Sequence, residues 1–147
     1  MKRDVEILIA EDDDGHFSLV EKNLRRAGIC NKITRFADGR KTLDFLFPEA
    51  SAARRCADCA YLLLLDIRMP HVDGVEVLKQ IRQDPFWKRM PVIMLTTTDD
   101  PREIERCCEL GSSVYIVKPV EYQAFVEAVR KVGLFLSVVE VPRLNEV

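Results

Sequence analysis

The chain has 147 residues, of which 48% are hydrophobic and 31% charged, which is the composition of a folded globular protein and not of a disordered tail. This length is enough for one compact domain and too short for two ordinary ones. The net charge of -2 gives no electrostatic reason to expect nucleic-acid binding. No apolar stretch approaches the roughly 20 residues of a membrane span, and the N-terminal residues are charged where a signal peptide would be apolar. We therefore expect a cytoplasmic protein whose partners are neither nucleic acid nor membrane.

The cysteines allow more than one interpretation. Cys56 and Cys59 form a C-x-x-C pair, which could be half of a zinc site or a redox pair. No second pair completes four zinc ligands, and His16 and His71 are isolated in the sequence. A thioredoxin-like pair would lie between a strand and a helix, whereas this pair precedes a strand. We favour ordinary reduced thiols and keep a redox role as a distant alternative.

Apolar runs alternate with amphipathic stretches along the whole chain. The apolar runs predict strands at residues 5–10, 32–36, 61–65, 91–96 and 114–117. Helical periodicity predicts helices at residues 14–27, 40–47, 73–83, 101–110 and 121–131. Five successive strand–helix units imply a parallel sheet with helices on both faces. The expected fold is therefore α/β, a doubly wound five-stranded parallel sheet of the flavodoxin-like (βα)5 kind with strand order 2-1-3-4-5.

Polar side chains follow or end four of these strands. They are Glu11 and Asp12 after the first strand, Asp66 after the third, Thr96 at the end of the fourth and Lys118 after the fifth. Open parallel sheets bind ligands at this edge, where the strand order reverses. If the first and third strands are neighbours, the carboxylates meet and raise their own pKa values unless a cation lies among them. Mg²⁺ suits such a site because it prefers oxygen ligands.

These residue types predict phosphoryl chemistry at Asp66. With Mg²⁺ bound, the Asp66 carboxylate could attack a phosphoryl donor, while Thr96 and Lys118 donate hydrogen bonds to the phosphoryl oxygens. The alternative is that the acids only cap helices. That interpretation suits Asp13 and Asp14, which we leave out of the site. It suits Asp66 poorly, because Asp66 ends a strand of four leucines and no helix follows it directly.

Taken together, these motifs resemble the response regulator receiver family of two-component signalling, from about residue 5 to residue 131. The residues that support the resemblance are Glu11-Asp12-Asp13, Asp66-Ile67-Arg68-Met69-Pro70, Asp73-Gly74, Leu95-Thr96 and Lys118-Pro119. The combination in this order is specific, although no single motif is. The resemblance implies that Asp66 takes a phosphoryl group from a phosphohistidine on a sensor histidine kinase.

The resemblance also implies roles for single residues. Mg²⁺ would be held by Glu11, Asp12, Asp66 and the backbone carbonyl of Arg68, and the phosphoryl group by Thr96 and Lys118. Tyr115 matches an aromatic switch position that acts with Thr96, and Arg68 and Thr98 match positions that tune the phosphate lifetime. The Lys118–Pro119 bond would be cis. From the residues alone, a half-buried aromatic on an edge strand is the favoured interpretation of Tyr115.

Two further features are similar to the small regulators paired with bacterial phytochrome kinases. One is the long connection at residues 49–60, and the other is the sequence Gly133-Leu134-Phe135-Leu136. They imply a light-regulated histidine kinase as the phosphodonor. We expect a receiver domain at residues 1–132 and an apolar C-terminal extension at residues 133–147. The extension either packs on its own domain or, as we favour, builds a symmetric homodimer. Signalling would use the surface of the fourth helix, fifth strand and fifth helix.

Two other functions compete with this interpretation. An aspartate-nucleophile phosphatase of the haloacid dehalogenase type needs D-x-D, so that the second aspartate acts as acid and base. Here that position is Arg68, so we expect no enzyme beyond self-catalysed phosphorylation and dephosphorylation. The other competitor is an interaction module without chemistry. The complete set of acids, threonine and lysine argues against it.

Overall fold

The strands and helices alternate strictly in the computed structural model, which describes residues 1–48 and 59–144. The strands are β1 (Val5–Ala10), β2 (Ile33–Phe36), β3 (Ala60–Leu65), β4 (Val92–Thr96) and β5 (Val114–Val117). The helices are α1 (Asp14–Arg26), α2 (Gly39–Leu46), α3 (Gly74–Gln83), α4 (Pro101–Glu109) and α5 (Tyr122–Ser137). Most of the connection predicted at residues 49–60 lies outside the described residues, as does Cys56.

The five strands form one parallel sheet in the order β2-β1-β3-β4-β5, which confirms the predicted fold. The central pair is in register to its end, where Ala10 of β1 lies opposite Leu65 of β3. The next backbone amide, that of Asp66, donates to the Ala10 carbonyl at 3.1 Å. The residues that follow β1 and β3 are therefore neighbours at the carboxyl edge of the sheet.

The side chains of β3 are buried on both faces of the sheet, as its unbroken apolar run predicts. Leu63 and Leu65 belong to a core that also contains residues of α2 and α3 and the buried Trp87. Leu62 and Leu64 point to the other face and belong to the core that α1 and α5 cover. The sheet is thus enclosed between two helical layers, which leaves its carboxyl edge as the place for polar side chains.

Helix α5 is longer than predicted. It continues past Lys131 to Ser137, so the expected domain boundary between residues 132 and 133 falls within a continuous helix. Gly133 does not end the helix but lies against α1, where a Cβ atom would be 3.0 Å from the Asn23 carbonyl oxygen and 3.1 Å from the Cβ of Ala27. Leu136, one turn beyond Val132, is fully buried. Close packing on α1 explains why the helical pattern continues.

The residues after α5 fold back on the same domain. Val139 and Val141 pack on the core beneath α1 and α5. Leu144 is buried in the core on the other face of the sheet, and its amide donates to the Cys59 carbonyl at 3.3 Å. Because Cys59 directly precedes β3, the segment 139–144 passes beneath the amino-terminal edge of the sheet. This part of the extension takes the intramolecular course that we had considered the less favoured one.

Truncating Leu136 to alanine tests whether the end of α5 belongs to the core. We expect Leu136→Ala to lower the free energy of unfolding by about 2–5 kcal/mol, because it leaves a cavity in a packed interior. Val120→Ala, at a fully exposed position, should change it by no more than about 0.5 kcal/mol. Urea denaturation followed by circular dichroism measures both. Equal effects of the two substitutions would contradict the packing described for α5.

Candidate functional site

The polar side chains predicted at the strand ends do come together at the carboxyl edge of the sheet. Glu11, Asp66, Thr96 and Lys118 are all buried there, while Asp12 is exposed. Carboxylate oxygens of Glu11, Asp12 and Asp66 lie within 4.8 Å of one another, close enough for a single metal ion to reach all three. Burying charged groups in this way costs free energy unless partners compensate. The contacts of each group therefore indicate what the site can hold.

Neighbouring residues hold the backbone of Glu11 and Asp66 in place. The Arg35 guanidinium of β2 donates to the Glu11 carbonyl at 3.0 and 3.1 Å and pairs with Asp14 at 2.7 Å. At β3, a Cβ atom on Gly74 would lie 2.1 Å from the Asp66 carbonyl oxygen, so only glycine lets α3 begin this close.

Asp13 caps α1 by accepting from the His16 amide at 2.9 Å. Asp13 is thus a cap as predicted, and Asp14 serves an ion pair.

Lys118 holds the buried carboxylates together. Its ammonium donates to Glu11 Oε1 in a very short contact and to Asp66 Oδ2 at 3.3 Å. Burial, opposed by Lys118 and reinforced by the charge of Asp66, raises the pKa of Glu11 to about 7. The acidic cluster thus has three carboxylates, and one ammonium contacts two of them. The remaining negative charge is what a divalent cation would offset.

Two buried oxygens lack partners. Asp66 Oδ1 and Thr96 Oγ1 make no hydrogen bond to any described residue, although both are shielded from solvent. An unsatisfied buried polar atom costs about 1–3 kcal/mol. A cation at the carboxylate and an acceptor oxygen at the hydroxyl would satisfy them. The residues present therefore fit Mg²⁺ at the acidic cluster, with Glu11, Asp12 and Asp66 as side-chain ligands.

A chain of contacts leads from the loop after Asp66 to β5. Arg68 pairs with Glu103 of α4 through its Nη2, at 3.0 and 3.1 Å from the two carboxylate oxygens. The Thr98 hydroxyl donates to the same carboxylate at 2.7 Å, and the Tyr115 hydroxyl donates to the Thr98 carbonyl at 2.9 Å. Burial of the Tyr115 hydroxyl raises its pKa to about 12. The three positions that the resemblance singled out are thus linked through Glu103.

Sequence reasoning missed two residues of this region. Glu103 was noted only as a residue that opens a helix. His16 was dismissed as isolated, yet its Nδ1 lies 3.1 Å from the Lys118 ammonium and its ring packs on Phe125 at 4.9 Å between centroids. A usable signal was present for His16. It lies in the first turn of a helix that begins at the acidic cluster.

One predicted feature of the site is wrong. Residues 1–48 and 59–144 contain no cis peptide bond, so the Lys118–Pro119 bond is trans. Trans is the lower-energy isomer of a bond before proline by about 0.5–1 kcal/mol, and only the family resemblance had suggested cis.

Three other predictions concern the cysteine pair, position 68 and membrane-spanning segments. The zinc and redox interpretations of Cys56 and Cys59 are not tested, because Cys56 lies outside the described residues. At position 68, the guanidinium stands where a phosphatase would need its second acid, and it is directed to Glu103. In the part of the chain that the structure describes, no helix is long and apolar enough to cross a membrane.

Comparisons with known proteins agree with this fold. The sequence model of the response regulator receiver domain matches residues 7–130. The response regulator Rcp1 of Synechocystis is 30% identical over 137 residues, which is 92% of this chain and 92% of that protein. The crystal structure of the Mn²⁺-bound form of Rcp1 superposes with a TM-score of 0.82, covering 93% of this chain and 98% of that one.

Two other solved structures are similar over nearly the whole chain. A response regulator receiver domain from Rhodospirillum rubrum has a TM-score of 0.90 and 48% identity, covering 96% of this chain and 99% of that one. The phosphorylated cyanobacterial phytochrome response regulator RcpA has a TM-score of 0.79 and 29% identity, covering 93% and 97%. Phytochrome-associated regulators are therefore among the structural neighbours of this chain.

The raised pKa of Glu11 predicts how stability depends on pH. Between about pH 4.5 and 7, the folded state without metal binds a proton at Glu11 that the unfolded state releases. The contribution of Glu11 to stability is therefore complete below pH 4.5 and is lost as the pH rises through 7. Glu11→Gln removes this dependence. We expect the stability of the variant relative to wild type to increase by up to about 3 kcal/mol from pH 4.5 to 8.

Urea denaturation in the presence of a chelator, at several pH values, measures this difference. Asp44→Asn, which neutralises an exposed acid on α2, is the control and should show no such trend. A stability difference between Glu11→Gln and wild type that is the same at every pH would contradict the prediction.

Proposed function

The chain belongs to the response regulator receiver domain family, and on that premise we propose that it accepts a phosphoryl group on Asp66 from a sensor histidine kinase. An Asp66 carboxylate oxygen attacks the phosphorus atom of the phosphohistidine. The new O–P bond forms as the P–N bond breaks. The electron pair of the P–N bond returns to the donor imidazole, which takes up a proton. The product is an acyl phosphate on Asp66, held by the Thr96 hydroxyl and the Lys118 ammonium.

The observation that carries this proposal is the pair of unsatisfied buried atoms, Asp66 Oδ1 and Thr96 Oγ1. A buried carboxylate that only stabilised the fold would have both oxygens paired. Lys118 contacts the other oxygen of Asp66 at 3.3 Å, so an ammonium is already beside the attacking group. The Asp66 carboxylate, the Lys118 ammonium and the Thr96 hydroxyl thus lie at one edge of the sheet.

We assign Mg²⁺ to the acidic cluster. When bound, the ion would offset the charge of the carboxylates and of the incoming phosphoryl oxygens. The proposed ligands are Glu11, Asp12, Asp66 and the backbone carbonyl of Arg68. Support comes from the 4.8 Å spread of the three carboxylates. The relative Rcp1 has been solved with Mn²⁺, another divalent cation that oxygen ligands suit.

We propose a phytochrome-type histidine kinase as the donor, because RcpA, one of the neighbours in structure, is a phytochrome response regulator. The protein then works in the cytoplasm, with protein partners and neither nucleic acid nor membrane. It catalyses only its own phosphorylation and dephosphorylation. Position 68 supports this restriction, because an arginine there provides no second acid for turnover of phosphate esters.

The proposed output surface is the face formed by α4, β5 and α5. Thr96 and Tyr115 form the switch, and Tyr115 already contacts the β4–α4 loop through the Thr98 carbonyl. Exposed apolar side chains occur on β5, on α5 and directly after it, namely Val114, Val117, Leu134, Phe135 and Val138. Exposed apolar clusters mark protein interfaces. We therefore propose that the chain forms a homodimer through this face, with the end of α5 at its centre.

Intact mass spectrometry tests the phosphoryl acceptor. With Mg²⁺ and phosphoramidate, wild type should gain one phosphoryl group and Asp66→Asn none, because the amide is no nucleophile. Asp44→Asn should be modified like wild type, and a chelator should abolish the adduct. Continuous turnover of a phosphate ester without an adduct would support a phosphatase instead. No reaction of wild type at all would contradict both chemical functions.

A charge placed on α5 tests the homodimer. Phe135 is about half exposed, so Phe135→Asp should fold normally but bring two like charges into the proposed symmetric interface. We expect light scattering to report a dimer for wild type and a monomer for the variant. Lys41→Asp, on α2 near the opposite edge of the sheet, is the control and should leave the dimer intact. A monomeric wild type, or a variant that stays dimeric, would contradict the proposed interface.

A further inference from the structure

The Lys118 ammonium has a third acceptor beyond the two carboxylates. Its side chain is 1% exposed, and each of its three N–H groups faces one partner: Glu11, Asp66 or His16. The imidazole Nδ1 of His16 lies 3.1 Å from the ammonium nitrogen. Since an ammonium can only donate, this contact requires a free lone pair on Nδ1. That lone pair is available in the tautomer that carries its proton on Nε2.

His16 differs from the other two acceptors in one chemical respect. Glu11 and Asp66 are the carboxylates that a divalent cation would engage, and that cation repels the ammonium. The imidazole Nδ1 lies 3.8 Å from Glu11 Oε1 but is not among the three groups that could hold one cation, so it does not compete for that cation. It can accept a hydrogen bond from Lys118 whether or not a bound cation engages the carboxylates.

We propose that His16 is a positioning residue, which holds the Lys118 ammonium beside Asp66 for contact with the phosphoryl group. This inference rests on the proposed phosphorylation of Asp66. Desolvating an ammonium is costly unless its donors are all satisfied, so the loss of one acceptor loosens the whole group. His16 acts through Lys118 and reaches the reaction only in that way.

The surroundings of His16 suit this task. Its ring packs on Phe125 of α5 with centroids 4.9 Å apart, and this contact fixes the direction of Nδ1. The side chain is 37% exposed, so substitutions there need not disturb the core. Substitutions can therefore test the ring packing of His16 and its hydrogen-bond acceptor separately. Phenylalanine keeps the ring and removes the acceptor, whereas asparagine removes the ring and places an acceptor oxygen three bonds from Cα, as Nδ1 is.

The test compares wild type, His16→Phe and His16→Asn at about pH 8, where an ordinary imidazole is neutral. The first measurement is the NMR cross-peak of the Lys118 ammonium, recorded without metal. The second is the rate of phosphorylation by phosphoramidate with saturating Mg²⁺. This small donor makes no protein–protein contact, so a role of His16 in kinase docking would not affect the rate.

We expect His16→Phe to broaden the ammonium signal by faster exchange and to slow phosphorylation about three- to tenfold, the effect of losing one hydrogen bond of ordinary strength. His16→Asn should recover the signal and most of the rate. Wild-type behaviour of His16→Phe, or equal impairment of both variants, would overturn the inference. If wild type itself acquires no phosphoryl group, the proposed function fails instead, while the ammonium signal still reports whether His16 holds Lys118.

Discussion

The side chain of Lys118 places a buried ammonium among carboxylates whose own burial and mutual repulsion would otherwise keep them apart or protonated. It reaches Glu11 after β1 and Asp66 after β3 from a position after β5, so it ties both sides of the sheet's centre together. This arrangement is possible only because the strands are parallel and ordered with β1 beside β3. The fold thus supplies the electrostatic partner that each acid needs.

The same contacts leave the site unbalanced in charge. Glu11 is hard to ionise, Asp66 has one oxygen paired and one unpaired, and Asp12 remains at the surface. A structural ion pair would be closed on itself, with every oxygen and every N–H satisfied. Here the satisfied group is the ammonium, and the incomplete groups are the acid and the hydroxyl. Such incompleteness favours a site that receives charge during its working cycle.

Much of this arrangement could be predicted from the sequence, because strand ends in a parallel sheet share one edge. The apolar runs located β1, β3, β4 and β5, and the polar residues that follow or end them were therefore identified as neighbours. The carboxylates at these strand ends suggest a magnesium site, but the histidine kinase donor and the Arg68 carbonyl as a ligand could not follow from the runs. They depended on the family resemblance, and that resemblance also suggested the cis bond that the structure lacks.

The residues that were missed have a common physical cause. His16 and Glu103 reach the site from helices, where the direction of a side chain depends on how the helix is rotated and docked. Neither quantity can be read from local spacing. The end of α5 was misplaced for a related reason. The predicted helix ended at residue 131, but Gly133 permits close contact between α5 and α1, and only the neighbouring helix reveals this use.

The course of the chain after α5 limits how the proposed output surface can move. Val139 and Val141 lie on one layer of the core, and Leu144 is buried in the other, with Arg143 paired to Asp4 at 2.7 Å on the way. The segment after α5 thus packs on both layers of the core, and Gly133, near the end of α5, packs against α1. A piston-like shift of α5 along its own axis would have to extract Leu144 from the interior. If the proposed output surface rearranges, we therefore expect the movement on the β5 and α4 side, with α5 held in place.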